Sequence, residues 1–455
     1  MSRHDLAPLL ALTLVLASPI AAGEGPPDPC AAARVTIPYR MRTLPNGLVV
    51  VVHEDRSTPV ASVNTWYHVG SGRETPGRTG LAHFFEHVMF GGSANVPEGM
   101  FDRWLEAAGG DNNGSTDSDR TNYFETLPVE SLDLALYLEA DRMRGLALSQ
   151  EALAAQREAV KEEKRLRIDN QPYAPSFEAV DALVYDAFAY RHPVIGSMED
   201  LDAAALGDLR EFHGRHYAPG NAFVCVVGDL GTEEALDAVR RHFGGLAARD
   251  LPPPFVEEEP EGSTNRRASV ADRHAALPAL HVAFKAPPRR HPDNLALLYA
   301  EKVLSGGESG FLWRRLVKDG ESALSFSAHL DERRGPSLFR TFAVARPGTA
   351  LVDLEREVSA GLARLAAEGP TPAEHERARR MLAFDTVRAT QTTQSLAFLL
   401  SEYGLYDGDP LLFREDVRRL LSMTPAEVRE ACARCFAPER RAVVEVLAEG
   451  RGEEE

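Results

Sequence analysis

Cysteine is scarce in this 455-residue chain, with only Cys30, Cys225, Cys432 and Cys435 present. Four cysteines allow three full pairings, and sequence does not choose among them. Cys432 and Cys435 form a CxxC, but no second pair exists to complete a four-cysteine zinc site. They lie in what reads as the end of an amphipathic helix, so a structural role is favoured over redox or metal chemistry. Cys225, inside Phe223-Val224-Cys225-Val226-Val227, reads as an inert thiol in a buried strand. Long apolar runs are also missing: no segment approaches the roughly 20 residues that span a bilayer. Positive charge is in deficit, with 50 Lys and Arg against 68 Asp and Glu and a net charge of −18. That balance argues against a nucleic-acid backbone or an anionic membrane surface as partner. At 44% hydrophobic and 26% charged the composition is globular, which excludes wholesale disorder, collagen and coiled coil.

The N-terminus reads as a secretory signal over residues 1–23. Arg3 and His4 precede an apolar run, Leu6 to Ala17, and then small residues up to Ala22 and Gly23. The expectation is an exported mature chain, periplasmic or secreted, without an integral membrane span.

Beyond it the chain divides. The Asn46-Gly47 turn leads into Leu48-Val49-Val50-Val51-Val52, a strand signal. Val60 to Val69 and Ala222 to Val227 are further strands. Helical patterns fall near 80–90, 98–108, 130–145, 149–169 and 232–243. Residues 248–272, with Pro252-Pro253-Pro254 and Glu257-Glu258-Glu259-Pro260-Glu261-Gly262, form a linker rich in Pro and acid. Then the order restarts, with strands near 279–285, 323–330, 337–345 and 441–447. Helices are expected near 292–304, 350–368, 371–400 and 424–436. An offset of 215 aligns Val88-Met89-Phe90-Gly91-Gly92 with Val303-Leu304-Ser305-Gly306-Gly307, Phe124 with Phe339 and Thr126 with Thr341. The expected architecture is α+β: two homologous domains, 35–247 and 273–449, each a mainly antiparallel sheet with helices on one face.

Chemistry concentrates in His83-Phe84-Phe85-Glu86-His87, an H-x-x-E-H. Residues four and three apart share one face of a helix. Two imidazoles and a nearby carboxylate match the needs of a catalytic zinc: two nitrogen ligands and a base for a water molecule. A third protein ligand is then required. The stretch Gln150–Asp169 offers Glu158, Glu162 and Glu163. Leu153, Gln156, Val160 and Glu163 follow a 3-4-3 spacing along one face, whereas Glu158 and Glu162 point nearly the opposite way. Spacing alone leaves Glu163 either a ligand or a solvated helix charge. Asp111-Asn112-Asn113-Gly114-Ser115-Thr116-Asp117 has the polarity of a calcium loop but not its glycine at position six or its glutamate at position twelve.

His83 to His87, with Gln156-Arg157-Glu158-Ala159-Val160-Lys161-Glu162-Glu163-Lys164-Arg165, resembles the pitrilysin/insulysin family of inverted-motif zinc peptidases. That family includes the mitochondrial processing peptidase subunits. Val69-Gly70-Ser71-Gly72, Gly80-Leu81-Ala82 and Asp169-Asn170-Gln171-Pro172-Tyr173 add to the likeness. The resemblance implies that His83, His87 and Glu163 bind one zinc ion per chain. It implies that Glu86 is the general base that activates water and later protonates the leaving amine. It places Asn113 on an edge strand to which an extended peptide substrate adds; from the sequence alone Asn113 reads rather as a plain loop residue. Gln156 stands where some members have a supporting glutamate.

In the second half the same offset puts Leu298, Glu301 and Lys302 at the motif positions, so that half cannot rebuild the site. Val317 and Phe326 stand near the places where the family often supplies an Arg and a Tyr. The resemblance therefore implies an endopeptidase for unfolded peptides that works as a dimer. A heterodimer with a homologous subunit lacking the zinc motif would supply the missing pair. The alternative is a non-catalytic scaffold subunit, against which the four intact residues argue.

Overall fold

The computed structural model describes residues 37–253, 259–260 and 265–449. The signal segment and Cys30 lie outside them. Two sheets organise these residues. The first contains β1 (Arg40–Thr43), β2 (Val49–Glu54), β3 (Val60–Tyr67), β4 (Asp111–Thr116), β5 (Thr121–Pro128) and β6 (Ala222–Gly228), in the order β1-β2-β6-β3-β5-β4. The second contains β7 (Arg266–Asp272), β8 (Ala279–Ala286), β9 (Ala323–Asp331), β10 (Ser337–Ala345) and β11 (Arg441–Ala448), in the order β7-β11-β8-β10-β9. Apart from β1 the orders coincide, and the one parallel pairing in each, β2 with β6 and β7 with β11, is also equivalent. The helix Leu81–Val88, shifted by 215, falls inside Pro292–Ser305. The fold is α+β with two repeated halves, as the offset implied.

One layer of each half is the expected one. In the first, Val50, Val52, Val63, Val224 and Val226 turn towards a core shared with Phe84, Phe85, Leu136 and Val239. Alternate residues of the same strands face the other way, and that face is covered too. Val51, Trp66, Phe223, Cys225 and Val227 pack against Leu396, Ala397 and Leu400 of the helix Thr393–Asp407, which comes from the second half. A strand buried on both faces reads as a continuous apolar run, which is why residues 223–227 carry no alternation. The approach is close: a Cβ on Gly404 would lie 2.2 Å from the Phe223 ring. The exchange is mutual. Val180 and Val184 of the helix Ala174–Val184 cover Ala283, Leu338, Ala442 and Val444 of the second sheet. The two exchanged helices overlap at the repeat offset. Helices on one face is thus corrected: each sheet is sandwiched, its second layer lent by the other half.

Two boundaries also differ. The expected linker 248–272 overlaps β7, so the second half begins no later than Arg266. The helix expected at 371–400 is two, Pro372–Ala389 and Thr393–Asp407, because Thr392 caps the second by accepting from the Ser395 N–H at 3.1 Å. Helices at Ala174–Val184, Leu206–His216 and Leu412–Ser422 were not expected. No described helix is long and apolar enough to cross a membrane.

Candidate metal centre

The motif helix Leu81–Val88 buries Leu81, Ala82, Phe84, Phe85 and Val88 and leaves His83, Glu86 and His87 half-buried on its other side. Its start is fixed by a residue that spacing did not single out. Glu74, with a wholly buried side chain, accepts hydrogen bonds from the Gly80 N–H at 2.8 Å and the Ala82 N–H at 2.7 Å. It also lies 3.0 Å from His192 Nε2. A carboxylate there satisfies two of the helix's free amides and complements its dipole. Gly80 itself has φ +84°, and a Cβ on it would meet the Ile195 carbonyl at 2.6 Å, so only glycine suits the entry.

The second helix, Gln150–Lys164, starts at Ser149, whose side chain accepts from the Ala152 N–H at 3.0 Å. Leu153 and Val160 are buried, as their spacing predicted. Glu163 follows them to the inner side, while Glu158 and Glu162 keep side-chain exposures of 66% and 56%. Glu163 Oε2 lies 2.9 Å from His87 Nε2 and 3.6 Å from His83 Nε2, bridging 76 residues of sequence from His87. One ligand atom from each of the three falls within 4.8 Å of the others. Ligand atoms about 2.1 Å from a tetrahedral zinc would be about 3.4 Å apart, so two imidazole nitrogens and a carboxylate converge at the right scale. Among the described residues this is the one cluster of three metal-binding side chains. Burial, reinforced by His87, pulls the His83 pKa down to about 4, which keeps its imidazole neutral, the form that binds metal. His83 Nδ1 is buried with no described partner. The other carboxylate oxygen of Glu163 pairs with Arg167 at 2.8 Å.

Glu86 stands beside this trio. Its Oε2 accepts a hydrogen bond from the Thr116 hydroxyl at 2.6 Å, and burial raises its pKa above the ordinary carboxylate value. Thr116 ends β4, whose outer edge pairs with no strand among the described residues. Asn113 is on that edge strand, opposite Phe124 of β5; it is exposed, and its side chain accepts from the Gly114 N–H at 2.8 Å. A Cβ on Gly114 would lie 3.0 Å from Glu86 Cγ. The strand thus runs directly alongside Glu86.

At the equivalent place in the second half an ammonium sits among carboxylates. Lys302 Nζ is 3.3 Å from Glu301 and 3.0 Å from Asp385. Phe326 is buried in the second core, with Val317 packed against it. Cys225, Cys432 and Cys435 are buried free thiols, and burial pushes Cys225 and Cys435 up to about 12. Their burial is what a structural role requires.

Known proteins share the sequence and the fold. The family described as Insulinase (Peptidase family M16) matches residues 49–196, and the Peptidase M16 inactive domain matches residues 204–382. Zinc protease PqqE of Helicobacter pylori is 32% identical over 365 residues, covering 79% of this chain and 82% of that one. A probable mitochondrial-processing peptidase subunit beta of Arabidopsis thaliana is 24% identical over 336 residues, 72% of this chain and 63% of that one. Among solved structures, a protease from Helicobacter pylori superposes with a TM-score of 0.87 at 28% identity, over 90% of this chain and all of that one. The periplasmic protease PqqL from Escherichia coli shares the fold, with a TM-score of 0.73 at 18% identity over 91% of this chain and 48% of that one. With its repeated halves and its H-x-x-E-H helix, the chain belongs to peptidase family M16, as a two-domain member.

Proposed function

We propose that this protein is an exported zinc-dependent endopeptidase that cleaves unfolded peptides. The observation that carries the reading is the convergence of His83, His87 and Glu163 with Glu86 alongside. These three residues would hold one zinc ion per chain, and the zinc supplies Lewis acidity at the scissile carbonyl. Glu86 takes the proton of the attacking water and delivers it to the leaving amine. Its raised pKa suits a group that must both accept and return a proton. The unpaired edge of β4, with Asn113, takes the substrate as an added strand, so main-chain hydrogen bonds give affinity tolerant of sequence. The second domain, starting at β7, is catalytically degenerate and helps enclose the substrate.

Two such domains per chain suit a dimer that closes a chamber. The absence of an Arg and a Tyr at Val317 and Phe326 favours a homologous partner that supplies them, and the Arabidopsis relative is itself named as a subunit. Export rests on residues 1–23 and on the periplasmic location in the name of one structural relative.

The test is to purify the mature chain and its Glu86→Gln variant, measure bound zinc, and assay cleavage of a quenched peptide library. Zinc is expected in both, with activity lower in the variant by about 10²- to 10⁴-fold, the usual weight of a general base. Zinc without activity in the unaltered chain would point to the missing partner or to a scaffold role. No zinc in either protein would overturn the metal reading.

A further inference from the structure

A carboxylate that serves as a base must present one oxygen to the water, and Glu86 is a side chain with free rotation about three bonds. Among the described residues Thr116 is the one that donates a hydrogen bond to it, at 2.6 Å to Oε2. Thr116 is itself firmly placed. It faces Thr121 across the β4–β5 hairpin, and the two hydroxyls are 3.4 Å apart. Thr121 in turn donates to the Val69 carbonyl at 2.8 Å.

The turn that joins the strands is braced from both sides. Ser71 and Gly72 donate backbone N–H groups to the carbonyls of Asp117 at 3.0 Å and Ser118 at 2.8 Å. Asp119 accepts from the Tyr190 hydroxyl at 2.8 Å and from the Arg334 N–H at 2.9 Å. Arg334 belongs to the β9–β10 turn and stands 215 residues after Asp119, so equivalent turns of the two halves meet there. Thr116 is therefore held in place by contacts that reach into the degenerate half.

We propose that Thr116 is a positioning residue for Glu86: its hydroxyl anchors one carboxylate oxygen and turns the other towards the water. This inference rests on the peptidase reading above. Because Thr116 lies on the strand that would receive the peptide, the same backbone would register both substrate and base.

Three proteins test it: the unaltered chain, Thr116→Val and Thr116→Ser. Valine keeps the shape and removes the donor, whereas serine keeps the donor. The expected result for Thr116→Val is kcat lower by about 10- to 100-fold, the loss of one charge-assisted hydrogen bond in the reacting geometry. KM should stay within about twofold and zinc content should be unchanged. Thr116→Ser should recover most of kcat. A Thr116→Val enzyme with normal kcat, a change confined to KM, or a serine variant as impaired as the valine one would each overturn the proposal. Crystal structures of both variants give a readout that needs no turnover: Glu86 should leave its place in Thr116→Val and keep it in Thr116→Ser. If the unaltered chain carries no zinc and cleaves nothing, the peptidase reading fails by itself, and the position of Glu86 still decides the role of Thr116.

Discussion

Replacing Glu74 by alanine should loosen the proposed metal centre without touching His83, His87 or Glu163. The side chain is wholly buried, accepts from the Gly80 and Ala82 amides, and pairs with His192. Its removal strands two buried N–H groups, each costing about 1–3 kcal/mol when unsatisfied. It also breaks a buried pair, for which losses of about 3–5 kcal/mol are usual. These costs overlap because water can enter the vacated space, so the expected loss of stability is about 3–5 kcal/mol. Glu74→Gln keeps one acceptor and should lose about 1–3 kcal/mol. The loss should depend on pH. Burial pulls the His192 pKa down, but the Glu74 carboxylate more than offsets this and holds it above the usual imidazole value. A raised folded pKa gives stability that is complete below the unfolded value of about 6.5 and fades as pH rises through the folded one. The gap between the unaltered chain and Glu74→Ala should therefore be widest near pH 6 and narrower near pH 8.5. Urea unfolding followed by far-ultraviolet circular dichroism, with metal chelated, measures both. A loss under about 1 kcal/mol near pH 6, or a gap unchanged by pH, would refute the argument.

Two further predictions concern the scaffold. Arg142 is wholly buried between Glu125 and Glu139, with the Tyr123 ring 4.4 Å away. Arg142→Met should cost about 3–5 kcal/mol near neutral pH. Burial already pushes Glu125 well above the carboxylate range, so protons stabilise that site: the deficit should shrink on acidification and in an Arg142→Met, Glu139→Gln double variant, both read by urea midpoints. Leu400→Ala, which empties a fully buried position against the first sheet, should cost about 2–5 kcal/mol. If the halves share one core, the tryptophan fluorescence transition of that variant, with Trp66 and Trp104 in the first half and Trp313 in the second, should move together with the circular-dichroism transition.

What was legible in the sequence is what local spacing controls. His83, Glu86 and His87 fall within two turns of one helix, so their common face follows from 3.6 residues per turn. The inward face of Gln150–Lys164 followed from Leu153 and Val160 by the same rule. The repeat was visible because both halves use the same elements in the same order. Periodicity reports that a face is buried, never what buries it. Hence the exchange of Ala174–Val184 for Thr393–Asp407, which makes each sheet a sandwich, appears only in three dimensions. The strand β4 was hidden from periodicity for a related reason, and only the family resemblance put Asn113 on an edge strand: Asp-Asn-Asn-Gly-Ser-Thr has no apolar alternation because an edge strand beside a half-buried site has no core face to fill, and pairing with β5 makes it a strand. Glu74 and Thr116 were silent as well, since a cap six residues ahead of its helix and a hydroxyl thirty residues beyond its partner obey no period. The sequence by itself determined the residue types that can bind a metal and move a proton. Spacing left Glu163 open and resemblance made it an expectation; the tertiary structure decided that it crosses 76 residues to meet His87, because only the packing of two helices brings those side chains within reach.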